Sequence, residues 1–121
     1  MFKLALKLAH RSNCRAKHGC IILKGKRILG RGFNVYKSNP TWGVKKPFAK
    51  YGVEFFSIHA EAAAIKDALR KGSDIRGATL IVVRTEMRIS KPCQHCQNLI
   101  ESHGISKVIY SDGESLKCYY I

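Results

Sequence analysis

No apolar run in this chain is long enough to cross a bilayer. The hydrophobic stretches are short and broken by Lys or Arg, and the segment from Phe2 to Arg11 is too charged and too brief for a signal peptide or a membrane span. This predicts a soluble intracellular, cytoplasmic protein with no membrane partner. A disulfide framework is equally unsupported: five cysteines without a secretory signal leave at least one unpaired, so metal binding or reduced thiols is the better reading. Repeats, linkers and low-complexity tracts are missing, and 121 residues suit one domain, spanning 1–121, with a single core. Acidic residues are scarce. Eight Asp and Glu against 22 Lys and Arg give a formal charge of +14, which concentrates phosphate-bearing ligands or simply aids solubility. Charge alone names no substrate.

What is present reads as alternating elements. Phe2, Ala5, Leu6, Leu8 and Ala9 recur at helical spacing, predicting an amphipathic helix from residue 2 to about 12. Cys20–Leu23 and Arg27–Gly30 flank a Lys-Gly-Lys turn, the pattern of a hairpin. Between Asn34 and Ser57, two X-Pro pairs, Gly43 and Gly52 predict a long loop without regular structure. Its Trp42, Phe48, Tyr51, Phe55 and Phe56 serve either as packing or as a base-stacking lid. Ile58 to about Lys71 is rich in helix formers and stopped by Gly72, and Ala78–Val83 is a buried strand. Pro92 opens a further helix ending near Gly104, Val108–Tyr110 is a strand, and Asp112-Gly113 turns the chain into a last antiparallel strand over Leu116–Ile121. The order predicts an α/β domain with a mixed five-stranded sheet flanked by helices in three layers.

The chemistry-bearing residues cluster at two predicted helix starts. His59-Ala60-Glu61 opens one helix; Pro92-Cys93-Gln94-His95-Cys96 opens the other. A Cys-x-x-Cys turn sets both sulfurs on one side, where free N–H groups and the helix dipole favour thiolate over thiol. With a His nitrogen they make three zinc ligands and leave a fourth position for water, the arrangement of a catalytic site. Glu61, two residues from His59, is then free to take a proton from that water, which zinc acidifies. The alternatives at this point are a redox pair and half of a structural zinc site. His10, Cys14, His18 and Cys20 form a second group of candidate ligands, although Cys20 reads equally as a small core residue.

The H-x-E and P-C-x-x-C pair is the signature of zinc nucleobase deaminases, and the chain resembles the cytidine deaminase superfamily over most of its length. The likeness runs from the N-terminal helix and a strand hairpin ending in Gly32-Phe33-Asn34 through both motifs to Gly104-Ile105 and Lys107–Tyr110. It implies a cytidine-deaminase-like fold and a hydrolase that converts cytosine to uracil. By the same likeness His59, Cys93 and Cys96 hold Zn2+, Glu61 shuttles protons, Asn34 bonds the substrate sugar, and the Ala60 carbonyl reads the amino edge of the base. Asn34 is otherwise a turn residue. His95 is either a contact to substrate or ligands or an exposed histidine.

The substrate divides the family. A tail ending in a hairpin resembles the branch with an antiparallel last strand pair, while the adenosine and deoxycytidylate branches usually insert a helix there. Lys37, Lys45, Lys46 and Lys50 before the first motif, and Arg84 and Arg88 before the second, are expected to border the pocket and meet phosphate. A free cytidine or deoxycytidine nucleotide and cytosine in single-stranded nucleic acid both remain open, with adenosine behind them. A non-catalytic nucleic-acid-binding module that keeps the scaffold is the rival from another class, and an intact Glu61 speaks against it. Members of the family range from monomers to tetramers, leaving a homo-oligomer open.

Overall fold

A computed structural model describes residues 2–38, 55–113 and 115–121. Helix α1 (Phe2–Ala9) leads into strands β1 (His18–Lys24) and β2 (Arg27–Phe33), then β3 (Val35–Ser38) and β4 (Phe55–Ile58). Helix α2 (Ala60–Arg70), β5 (Thr79–Arg84), a 3-10 turn (Thr85–Met87), α3 (Gln94–Ser102), β6 (Lys107–Asp112) and β7 (Ser115–Tyr120) complete the order. Five strands form one sheet in the order β2-β1-β5-β6-β7. Only β5 and β6 run parallel, joined through α3; every other pair in the sheet is antiparallel. This is the expected mixed sheet, with β6 and β7 as its closing hairpin.

Strand alternation sorts the core into two faces. Cys20, Ile22, Leu80, Val82 and Val108 meet Ala60, Ala64, Ile65 and Ala68 of α2 and Ile100 of α3. On the opposite face Ile21, Ile81 and Val83 meet Ala5 and Leu8 of α1. The sheet is the middle of three layers. Helix α2 lies unusually close to β2 because the strand carries Gly30 and Gly32. A Cβ on Gly32 would stand 2.5 Å from the Ala64 nitrogen and 2.8 Å from the Ala60 oxygen. Two absent side chains therefore set the height of α2 above the sheet.

The reading of 34–57 as irregular needs correction. Val35–Ser38 pairs antiparallel with Phe55–Ile58 in a separate two-stranded sheet, from Val35↔Ile58 to Ser38↔Phe55. The prolines and glycines that argued against regular structure lie inside 39–54, outside the described residues. The other elements fall within a few residues of expectation. Helix α1 ends at Ala9, and Pro92 and Cys93 precede α3 instead of forming its first turn. No described helix is long and apolar enough to cross a membrane.

Candidate active site

Two helix starts converge beside the start of β1. His59 is the N-cap of α2 and Cys93 the N-cap of α3, both with extended backbone (φ −73°, ψ 151° and φ −69°, ψ 168°). Neither side chain bonds its own helix, which leaves both for an external ligand. Cys96, buried in the first turn of α3, completes the group. The sulfurs of Cys93 and Cys96 lie 3.7 and 3.2 Å from Nδ1 of His59, and the three donor atoms are all within 4.8 Å of one another. Ligands about 2.0 and 2.3 Å from a tetrahedral zinc leave nitrogen and sulfur about 3.5 Å apart. The donor set therefore fits one ion.

The electrostatics differ from the thiolate expected at a helix start. Burial, and then the Glu61 carboxylate, push the Cys96 thiol well above its ordinary range. Desolvation outweighs the helix dipole here, and only a bound cation would turn that sulfur into a thiolate. Glu61 sits at the first turn of α2 and is 6% exposed. Burial pushes its pKa up to about 7, partly offset by a hydrogen bond from its own backbone N–H. A carboxyl poised near neutrality both accepts and releases a proton readily.

A cleft of about 190 Å3 opens over these groups, lined by His18, Asn34, His59, Ala60, Glu61, Ser90, Lys91 and Cys93. Asn34 lines it while tying down the approach to β1. Its side-chain oxygen accepts the His18 N–H at 2.8 Å, and its amide donates to the Ala16 carbonyl at 2.7 Å. That leaves one amide hydrogen and one lone pair for a ligand. Arg84 pairs in register with His18 on the neighbouring strand but is not part of the cleft lining. His95 is exposed and also outside the lining. Lys37 lies on β3, and its side chain, like Lys45, Lys46, Lys50 and the loop aromatics Trp42, Phe48 and Tyr51, is outside the described residues.

The proposed second ligand group does not assemble. Among the described residues, His59, Cys93 and Cys96 form the one cluster able to hold a metal. Cys20 points into the core beneath α2, His10 is exposed, and Cys14 is buried, its N–H donating to the Ser12 hydroxyl. His18 instead joins the cleft, together with Ser90 and Lys91, two residues that sequence reasoning passed over. They sit on a segment entered through Glu86 and Met87, both left-handed (φ 62° and 56°), a conformation costly for side-chain-bearing residues. No sequence pattern signals that turn.

Comparison with known proteins agrees with this geometry. The cytidine and deoxycytidylate deaminase zinc-binding region matches residues 1–112. A deoxycytidylate deaminase of Mycobacterium phage D29 is 34% identical over 120 residues, covering 88% of each chain. The dCMP deaminase of cyanophage S-TIM5, solved in complex with dCMP and dUMP, is 27% identical with a TM-score of 0.65, covering 89% of this chain and 75% of that one. Cytidine deaminase from Burkholderia pseudomallei, at 17% identity, shares the fold with a TM-score of 0.67 over 99% of this chain and 92% of its own. Zinc is the cofactor of this family, and an enzyme of the deaminase class is what such a match describes. Taken with the meeting of both motifs on one cleft, these likenesses establish that the chain belongs to the cytidine and deoxycytidylate deaminase family.

Proposed function

We propose that the protein deaminates the cytosine of deoxycytidine monophosphate to uracil, with zinc held by His59, Cys93 and Cys96. The observation that carries the chemistry is a buried carboxyl, Glu61, sharing a small cleft with three donor atoms spaced for one tetrahedral ion. Substrate choice rests on the phage deoxycytidylate deaminase that resembles this chain over 88% of its length. That likeness outweighs the hairpin tail, which by itself argues against a deoxycytidylate substrate. It also draws the reading away from single-stranded nucleic acid and from adenosine. A single phosphate needs few cations, so the +14 charge serves attraction of small anions as well as it would serve a strand.

Zinc held by His59, Cys93 and Cys96 would supply Lewis acidity, making a water near it a better acid. The Glu61 carboxylate takes that water's proton and delivers it to ring N3 as the oxygen adds to C4. Glu61 would then take the hydroxyl proton from the C4 adduct and hand it to the amino group, so that the C4–N bond breaks, the C4 carbonyl of uracil forms and ammonia leaves. Ala60 offers its carbonyl to the amino edge of the base, and Asn34 its remaining amide hydrogen to the sugar. His95 and Arg84, being outside the cleft lining, are set aside as direct substrate contacts.

The test is incubation of zinc-loaded protein with dCMP, CMP, deoxycytidine, adenosine and a single-stranded cytosine-containing oligonucleotide, reading products by mass. Conversion of dCMP to dUMP at the highest kcat/KM is the expected result. Deamination confined to the oligonucleotide, or to adenosine, would overturn the assignment.

A further inference from the structure

Three side chains that line the cleft, His18, Ser90 and Lys91, have no role in the deaminase motifs, and the first two touch each other. His18 opens β1, and its Nδ1 lies 2.6 Å from the Ser90 hydroxyl oxygen. Its backbone is held as firmly as its ring. The His18 N–H donates to Asn34, and its carbonyl accepts the Asn34 N–H at 3.2 Å. Ser90 is 2% exposed and anchored in turn, its N–H donating to the Ser111 carbonyl at 2.9 Å. The Ser111 hydroxyl donates to the Arg88 carbonyl at 2.6 Å and accepts the Arg84 N–H at 3.0 Å. The whole 84–90 segment is therefore braced against β6.

This bracing decides where the imidazole proton sits. A hydroxyl needs an acceptor for its hydrogen when it is buried, and the only one within reach of Ser90 among the described residues is Nδ1 of His18. Ser90 must then be the donor, and a neutral imidazole accepting at Nδ1 carries its own proton on Nε2. Burial, then Arg84 and His59, push the ring's pKa down to about 4, so it stays neutral at pH 7. Nε2 has no partner among the described residues, and the ring lines the cleft.

We infer that Ser90 fixes the Nε2–H tautomer of His18, which then donates a hydrogen bond to an oxygen of the bound pyrimidine nucleotide and sets affinity for it. The acceptor is a phosphate oxygen or an oxygen of the base or sugar; Lys91 on the same cleft wall suits the phosphate end. This rests on the nucleotide reading above for its ligand, but the tautomer does not depend on turnover.

The experiment is nitrogen-15 NMR of histidine-labelled, zinc-loaded protein, with His18 assigned through its absence in His18→Phe. A protonated Nε2 and a bare Nδ1 at pH 7 are expected, with Ser90→Ala relaxing the ring toward a mixture of tautomers. Titration with dCMP should shift the Nε2 resonance. In turnover, His18→Phe should raise KM for dCMP about tenfold with a smaller change in kcat, the magnitude of one hydrogen bond lost to substrate. An equal rise in KM for deoxycytidine assigns the acceptor to base or sugar, and no rise there assigns it to phosphate. A proton found on Nδ1, or a His18→Phe enzyme with wild-type KM for every substrate, overturns the proposal. If the wild-type protein deaminates no nucleotide, the functional reading fails, while the tautomer and the dCMP-induced shift still decide the role of His18.

Discussion

At the scale of single residues, Glu61 carries the most sharply testable role. Glu61→Gln keeps the size of the side chain and removes its proton chemistry, so kcat should fall by about 10²–10⁴-fold. Zinc content, read by atomic absorption, should stay at the wild-type level. Loss of metal together with activity would instead make Glu61 a structural partner of the site. These residues are legible in the sequence because each motif compresses its chemistry into a few consecutive positions, His59 to Glu61 and Cys93 to Cys96. His18 and Ser90 were not readable, since they are 72 positions apart and meet only because β1 begins beside the 84–90 segment. The same limitation produced the false second ligand group. Proximity in sequence put His18 and Cys20 together, and the period of a strand does set both on one face, yet Cys20 is packed into the core with Ala60 and Ala64 while His10 stays exposed.

At the scale of elements, the position of α2 depends on the small residues beneath it. Gly32→Ala would bring a methyl group against the backbone of the first turn of α2, the turn that carries His59 and Glu61. Neither the strand nor the helix backbone can yield cheaply, so a loss of about 1–3 kcal/mol is expected. A weakened zinc affinity should accompany it, measurable by competition with a chelating dye. An unaltered affinity would show that the helix start does not feel the packing below it. Asp67, midway along α2, ties that helix to β2 by accepting the Arg31 N–H at 3.0 Å, and it pairs with Lys71 and Arg70.

Burial alone would raise the Asp67 pKa, but the hydrogen bonds from Lys71, the Arg31 amide and Arg70 outweigh it and leave the group below its ordinary value. A depressed carboxyl stabilises the fold above its unfolded pKa and loses that contribution as pH falls through the folded one. Asp67→Asn should therefore cost about 1 kcal/mol at pH 7, a modest figure because Arg70 and Lys71 are largely solvated. In urea melts the difference should shrink as pH falls below the ordinary carboxylate value of 3.8 and disappear once the depressed folded-state group is protonated. Element order and type were legible because apolar periodicity dominates each segment. The β3–β4 pair was hidden, since four-residue strands beside a proline-bearing loop carry too little periodicity to register.

At the scale of the whole molecule, zinc joins two helices that are separated in sequence by β5 and packed on one sheet face. Stripping it with a chelator should lower the melting temperature by about 10–15 °C, the effect of a ligand present at roughly a thousandfold its dissociation constant. Cys96→Ala should melt near the stripped value and ignore the chelator. A wild-type melt indifferent to chelation would argue that the helices need no ion to stay docked.

Because His59 and Cys93 both occupy the boundary residue where a helix begins, the donor atoms gather only after α2 and α3 have settled on the sheet. Neither motif alone offers more than two of the three donors. Metal capture thus works as a clock for tertiary assembly: in refolding from urea with cobalt present, the thiolate-to-cobalt absorption band should rise with the last kinetic phase and not with the first gain of helix.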